Sequence, residues 1–322
     1  MKHRVVGLAC IFFFCALQGR KRISSSKIAA EHAEYAMAED RLACGRVPSQ
    51  SYADNRKRFD SLMTSAEALP TLTRLGKSCK QLYELFAHLF SINYGLLDSP
   101  TCKIPKKIHQ IWLGSEPPAD LLELSETIKK CNPDFEYRLW RDADVAEFAL
   151  QDDPAYRAAK NWGERADILR YHILHKYGGF YCDMDILCIK SFEPLCHGVG
   201  FIVGISNLPI IEANNAVMGA APRHPIVKEL KNSIVSRTSP AGRRLTTVSR
   251  TGPAYLSRTL QTCFTKGLCC DVLVLPIPYF YPLSINYQGK QTRDVYDRFV
   301  SKESYCAHLW EGRWRKPEGM VR

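Results

Sequence analysis

The stretch of this chain best equipped for chemistry runs from Tyr177 through Gly178, Gly179, Phe180, Tyr181 and Cys182 to Asp183, Met184 and Asp185. Read as a buried strand over Phe180 to Asp183, it ends on two carboxylates that the period of two puts on the same side. Carboxylates that close repel one another unless a cation lies between them. A hard divalent ion with oxygen ligands, Mn²⁺ or Mg²⁺, would neutralise them and keep positions open for a diphosphate. An isolated Asp-x-Asp also arises as ordinary solvated turn residues, so its neighbours decide its meaning.

Those neighbours carry matching chemistry. Asp167 and Arg170 are three apart on the preceding helical segment, hence on one face. A helix-borne Asp can accept ribose or base hydrogen bonds, and an Arg can reach a diphosphate or a sugar hydroxyl. The plain alternative is a surface i,i+3 ion pair. Trp112 closes an earlier strand beside Gly114, where an aromatic could stack on a base or simply fill the core. Near the C-terminus, His308 stands in the run Ala307 to Trp314, and an imidazole is an acceptable ligand beside carboxylates for Mn²⁺. Arg313, Arg315 and Lys316 add positive charge there.

These residues need elements to hold them. Ile108 to Trp112 reads as a strand, ended by Gly114 and the Pro117-Pro118 pair, and a helix follows over Ala119 to Lys130. Phe135 to Trp140 reads as a second strand. Asp142 to Leu150 reads as a helix with Asp142 as its N-cap. Gly163 to Tyr177 is a further helix closed by Gly178-Gly179. Phe201 to Ile205, Asn215 to Ala220 and Val272 to Leu275 are later strands. Alternation of this kind predicts an α/β domain with a mainly parallel sheet, whose ligands lie beyond the carboxyl ends of the strands. Upstream, Leu75, Cys79, Leu82, Leu85, Phe86 and Leu89 sit at helical spacing and predict one amphipathic helix over Leu72 to Ile92.

The 322 residues suffice for one large domain or two modest ones. Net charge is +11, from 44 basic and 33 acidic side chains, and the excess is spread along the chain. Spread charge suits a negative partner such as a nucleotide or an acidic membrane. With no basic helix and no aromatic-basic platform, nucleic acid is not an expected partner. Thirteen cysteines include no C-x-x-C pair, which argues against a zinc ribbon or redox motif. Cys182 and Cys188 read as buried thiols, whereas Cys102, Cys131, Cys196 and Cys306 are open to disulfide pairing. At the N-terminus, Lys2, His3 and Arg4 precede an apolar run from Val5 to Leu17, short for a membrane span, which needs about 20 residues. Residues 1–19 therefore read as a signal peptide or short signal-anchor, with membrane anchoring or secretion through that segment as the expectation.

Taken together the motifs resemble the DXD-containing glycosyltransferases of sugar-transferase family 32. That group includes yeast Golgi α-1,6-mannosyltransferases and inositol-phosphoceramide mannosyltransferases, and more distantly the catalytic domain of clostridial glucosylating toxins. The matching segments are IPKKIHQIW at 104–112, ADILRY at 166–171, YGGFY at 177–181 and DMD at 183–185, then NNAVMG at 214–219, TGP at 251–253, FYP at 280–282 and HLWEGRW at 308–314. The resemblance implies a GT-A-type, Rossmann-like domain over residues 101–322; residues 1–100 lie outside it, and the Ser-, Ala- and charge-rich composition after residue 20, with the amphipathic helix that follows, reads as a stem or helical extension over residues 20–100. It implies a retaining, metal-dependent transfer of a hexose from a UDP- or GDP-sugar to a hydroxyl of a glycan, glycolipid or protein acceptor. By the same likeness Trp112 would stack on the base, Asp167 and Arg170 would hold ribose and sugar, and Asn215 would face the sugar. Asp183, Asp185 and His308 would hold the metal, and Trp310 or Trp314 would close over the diphosphate. One departure stands out: Arg313 occupies a position where the family often has Ser. For a eukaryotic chain the implied compartment is the Golgi lumen. A secreted effector that glycosylates host proteins is the rival enzyme reading, and a sugar-binding module without activity is the rival outside enzymes.

Overall fold

The computed structural model describes residues 49–64, 76–234, 244–290 and 292–313. The expected signal segment at 1–19 and Trp314 lie outside these residues. Two helices, α1 (Ser49–Thr64) and α2 (Lys77–Asn93), precede the sheet. Then come β1 (Lys107–Ile111), α3 (Ala119–Cys131), β2 (Glu136–Trp140), α4 (Trp162–Tyr177), β3 (Gly179–Cys182) and β4 (Ile186–Cys188). They are followed by β5 (Phe201–Ile205), β6 (Ala213–Ala220), α5 (Pro225–Asn232), α6 (Pro253–Thr265), β7 (Val272–Leu275) and β8 (Cys306–His308). No helix of the described residues is long and apolar enough to cross a membrane.

Six strands form one sheet in the order β2-β1-β3-β6-β5-β7. The β1 pairings with β2 and β3 are parallel, as is that of β5 with β7, while β6 runs antiparallel to both of its neighbours. This is the α/β arrangement with a mainly parallel sheet that the strand–helix alternation predicts. Strands β3, β5, β6 and β7 are buried at every position, because helices and loops cover both faces. Full burial leaves no alternation to read, which is why the reversal of β6 has no signature in the sequence. A separate ribbon pairs β4 with β8 in antiparallel register, setting Ile186 opposite His308 and Cys188 opposite Cys306.

The helix that matters most is α4. Asn161 caps it by accepting the Glu164 N–H at 2.8 Å, and Gly178 at φ +63° ends it. Gly179 then enters β3 at φ +90°, where a Cβ would lie 2.6 Å from the Lys107 carbonyl oxygen. Only glycine fits both that dihedral and that approach to β1.

Two sequence expectations need correction. The segment after β2 is 3₁₀-helical over Asp142–Phe148 rather than α-helical, and Asp142 does not cap it. Its capping carboxylate is Asp144, which accepts the Arg141 N–H at 2.7 Å, while Asp142 accepts the Gly114 N–H at 2.8 Å. The two acids of the Asp-x-Asp also do not share a strand face. Asp183 follows the last residue of β3, and Asp185 sits in the turn before β4.

Helices α1 and α2 belong to the same apolar core as the sheet. Phe59, Met63, Phe86 and Phe90 are fully buried in it. Phe90 stacks on Tyr94 at 4.6 Å and meets Phe59 at 5.5 Å, and Asn93 Nδ2 donates to the Val272 carbonyl at 2.7 Å. Phe90→Ala should therefore cost about 3–5 kcal/mol of unfolding free energy, measured by urea denaturation of the full chain. A loss below about 1 kcal/mol would mean that the helix pair is an appendage and not part of the core.

Candidate active site

At the carboxyl ends of β1 and β3, a cavity of about 1070 Å³ opens between α4, the loop after β1 and the C-terminal segment. Asp183 is held there from both sides. Its N–H donates to the Ala216 carbonyl at 2.8 Å, and its own carbonyl accepts from Gln110 Nε2 at 3.1 Å. Its Oδ1 accepts the Tyr181 hydroxyl at 2.6 Å and lies 3.2 Å from Arg170 Nη1. Asp185 Oδ1 lies 3.2 Å from His308 Nε2, and Oδ2 accepts the Glu311 N–H at 2.8 Å. Ligand atoms of Asp183, Asp185 and His308 all fall within 4.8 Å of one another.

The electrostatics of this trio favour a cation. Burial pushes the Asp183 carboxyl up, aided by the charge of Asp185 and opposed by Arg170. Burial also opposes charge on Asp185, yet the adjacent His308 and the Glu311 N–H carry its pKa below the ordinary value. Burial opposes protonation of His308, but Asp185 outweighs it and raises the imidazole above its usual range. The buried His308 Nδ1 has no hydrogen-bond partner. Two carboxylates and one imidazole are an oxygen- and nitrogen-donor set suited to Mn²⁺ or a similar divalent ion. Such an ion would supply positive charge beside the two carboxylates.

Beside the trio, Arg170 is the hub. Arg170 is 4% exposed, and its guanidinium reaches Asp167 Oδ1 at 2.8 Å, Asp183 at 3.2 Å and the Asn215 carbonyl at 2.5 Å. It also lies 4.2 Å from the Tyr181 ring centroid. Asp167 and Arg170 thus form a buried pair and not the solvated one that their spacing also allows. Asp167 accepts in addition from Asn215 Nδ2 at 2.8 Å and Thr251 Oγ1 at 2.7 Å. Much of its accepting capacity is therefore spent inside the protein, as is the Asn215 amide.

Trp112 lines the far end of the cavity, its indole N–H donating to Ser115 Oγ at 3.1 Å. Trp310 lines it too, but as a buried wall. It sits at φ +60°, donates its indole N–H to the Leu283 carbonyl at 2.8 Å and packs 4.3 Å from the His308 ring. A non-glycine residue in that backbone region marks stored strain of the kind found at functional sites. Arg313 pairs with Asp120 at the start of α3 and lies 3.7 Å from Glu311, so its charge is spent on the cavity rim. Sequence reasoning missed Trp162 and Arg165, which line the wall next to Gly114. A Cβ on Gly114 would fall 2.4 Å from the Trp162 ring, and the Arg165 guanidinium lies 4.9 Å from that ring. Nothing in their spacing marks them. Thr251 was legible only through the Thr-Gly-Pro motif.

Comparison with known proteins agrees with the motifs. Residues 118–200 match the family described as glycosyltransferase sugar-binding region containing DXD motif. Inositol phosphoceramide mannosyltransferase 3 of Schizosaccharomyces pombe is 35% identical over 173 residues, covering 51% of this chain and 47% of that protein. Inositol phosphoceramide mannosyltransferase 2 of the same yeast is 30% identical over 233 residues, covering 70% of this chain and 61% of that protein. Among solved structures, PaToxG glycosyltransferase aligns with a TM-score of 0.42 at 22% identity, covering 57% of this chain and 78% of that one.

Burial holds the Asp167 carboxyl up at about 6, against Arg170 and the Thr251 and Asn215 donors, from an ordinary 3.8. Between those values the folded protein keeps a proton that the unfolded chain has lost. Ionising Asp167 therefore costs stability as pH rises through that window, and the carboxylate is complete only above it. Unfolding free energy should fall as pH rises from about 4 to about 6, and Asp167→Asn should lose that contribution to the slope. Urea denaturation at several pH values checks this, and a slope kept in the variant would assign it to another group.

Proposed function

From the match of residues 118–200 to the DXD-containing glycosyltransferase family, we propose that this chain transfers a hexose from a nucleotide-sugar donor to a hydroxyl acceptor. The names of the two yeast relatives favour mannose as the sugar and an inositol phosphoceramide headgroup as the acceptor. The observation that carries the reading is the Asp183, Asp185 and His308 cluster at the edge of a cavity that also holds Trp112 and Arg170.

In this reading Trp112 stacks on the base, and Arg170, with Asp167 behind it, meets ribose and sugar hydroxyls. Asn215 orients Asp167 and faces the sugar through the same wall. Asp183, Asp185 and His308 would hold Mn²⁺ or Mg²⁺, which would supply positive charge near a departing diphosphate. Arg170 adds a second, permanent cation on the same side, fixed before the reaction begins and so free of reorganisation cost. The anomeric configuration is retained by reaction on one face, with the leaving phosphate oxygen taking the acceptor proton. This needs no separate carboxylate base. Spread positive charge over the chain suits both a diphosphate donor and an acidic membrane surface that presents a lipid acceptor. Residues 1–19, as a signal peptide or short signal-anchor, would bring the chain to that membrane or through it, with the Golgi lumen as the compartment for a eukaryotic chain.

The test is a donor screen. The full chain, incubated with Mn²⁺ and a panel of UDP- and GDP-sugars, should release nucleoside diphosphate from one of them, faster when inositol phosphoceramide is added. Asp185→Asn should lower that release by about 100-fold or more while the thermal midpoint stays close to the parent's. Equal turnover in the variant, or in excess chelator, would overturn the metal assignment. Silence across the whole panel would overturn the enzyme reading.

A further inference from the structure

Among the described residues, three arginines line the cavity, and two of them are committed to acids. Arg170 is held by Asp167 and Asp183, and Arg313 by Asp120 and Glu311. Arg165 differs. Its buried Nε has no hydrogen-bond partner, and no carboxylate of the described residues pairs with its guanidinium. The acids of the adjoining loops are engaged elsewhere: Asp142 accepts the Gly114 N–H at 2.8 Å, and Glu116 pairs with Arg141 at 2.9 Å. What holds Arg165 is aromatic. Its guanidinium carbon lies 4.9 Å from the Trp162 ring centroid and 5.2 Å from that of the buried Tyr156. Contacts of this kind can fix a guanidinium without using its N–H groups, which stay open to a ligand. The surroundings indicate which part of a ligand they meet. Trp162 packs against Gly114, where φ is +84° and a Cβ would fall 2.4 Å from the ring. Gly114 lies two residues beyond Trp112, whose N–H donates to the Trp140 carbonyl at 3.0 Å and whose indole is fixed on Ser115. Arg165 thus belongs to the wall built on the loop that carries Trp112. Along α4 it stands five residues before Arg170, about 7.5 Å further from the carboxylates along the helix axis.

We propose that Arg165 reads the base of the donor, presenting its N–H groups to the carbonyl edge of uracil or guanine, a role that rests on the nucleotide-sugar reading of the cavity. Uracil O4, or guanine O6 with N7, would accept from the guanidinium while Trp112 stacks on the ring. Cytosine and adenine carry an amino group at the matching position. Two donors would then face one another, and a desolvated N–H would go unpaired, which is how a site built on hydrogen bonds rejects the wrong ligand. Arg165 is on this account a specificity-determining residue. Its part differs from that of Arg170, whose guanidinium is occupied in holding Asp167 and Asp183. The rings of Trp162 and Tyr156 position it before any ligand arrives, so little side-chain order has to be created on binding.

Calorimetric titration of the full chain with UDP, GDP, CDP and ADP in the presence of Mn²⁺ tests it. UDP or GDP should bind at least about 10-fold more tightly than CDP and ADP. Arg165→Met keeps an apolar stem against the rings and should abolish that ranking, chiefly by weakening the preferred nucleotide. Arg165→Lys keeps the charge but loses the planar fork, and it should abolish the ranking as well. Inorganic pyrophosphate should bind the parent and both variants alike. Equal affinity of the parent for all four nucleotides would overturn the proposal, and so would a ranking kept in both variants. A loss in Arg165→Met that is uniform across the four nucleotides and pyrophosphate would place Arg165 on phosphate and overturn it too. Binding of none of the four by the parent would overturn the nucleotide-sugar reading itself, and the role of Arg165 with it.

Discussion

Three carboxylates converge on one poorly hydrated corner of this protein, and the arrangement stands because a buried guanidinium stands among them. Arg170 joins Asp167 to Asp183 across the junction of α4 and β3. Each of these groups would be costly to bury alone, and together they satisfy one another. One cation cannot balance three anions, however. The remainder falls on Asp185 and is met by His308, a residue brought from far along the chain by the β4–β8 ribbon. The corner therefore carries a standing demand for positive charge, which a divalent ion would meet.

The order of elements follows from this demand. Helix α4 must present Asp167 and Arg170 three residues apart on one face, and it must stop where β3 can start beside β1. Gly178 and Gly179 make that junction tight enough for Tyr181 to reach both Arg170 and Asp183. On the other flank the backbone of Leu309 and Glu311 folds back onto Asp185. Asp185 is thus positioned in part by main-chain hydrogen bonds, whereas the Asp167 and Asp183 carboxylates are held by side chains.

Much of this was legible in the residues themselves. The i,i+3 spacing of Asp167 and Arg170, the Gly-Gly junction and the apolar run into Asp183 each signal a local rule. The strands β1, β2, β5 and β7 were legible to within a residue or two, because turn-forming Gly and Pro bound them. Other features were not. Asp142 looks like a helix cap but is drawn off to the Gly114 N–H, a contact that no local pattern encodes. The two acids meet through a turn between strands of different sheets, not through strand periodicity. Strand β6 reverses because a short loop over 206–212 returns it beside β5, and uniform burial hides its direction. Trp162 and Arg165 sit next to Gly114 only through tertiary packing.

The covering of β7 by α2 has a consequence away from the site. The last strand of a sheet presents unpaired carbonyls and amides that invite another chain to add on. Here Asn93 of α2 occupies the Val272 carbonyl with its side-chain amide, and α1 lies behind it. The opposite border, β2, is short and dressed with Glu136 and Arg138. The sheet is thus closed to further growth on one flank by a helix hairpin and guarded on the other by charge, which protects it against strand-to-strand self-association.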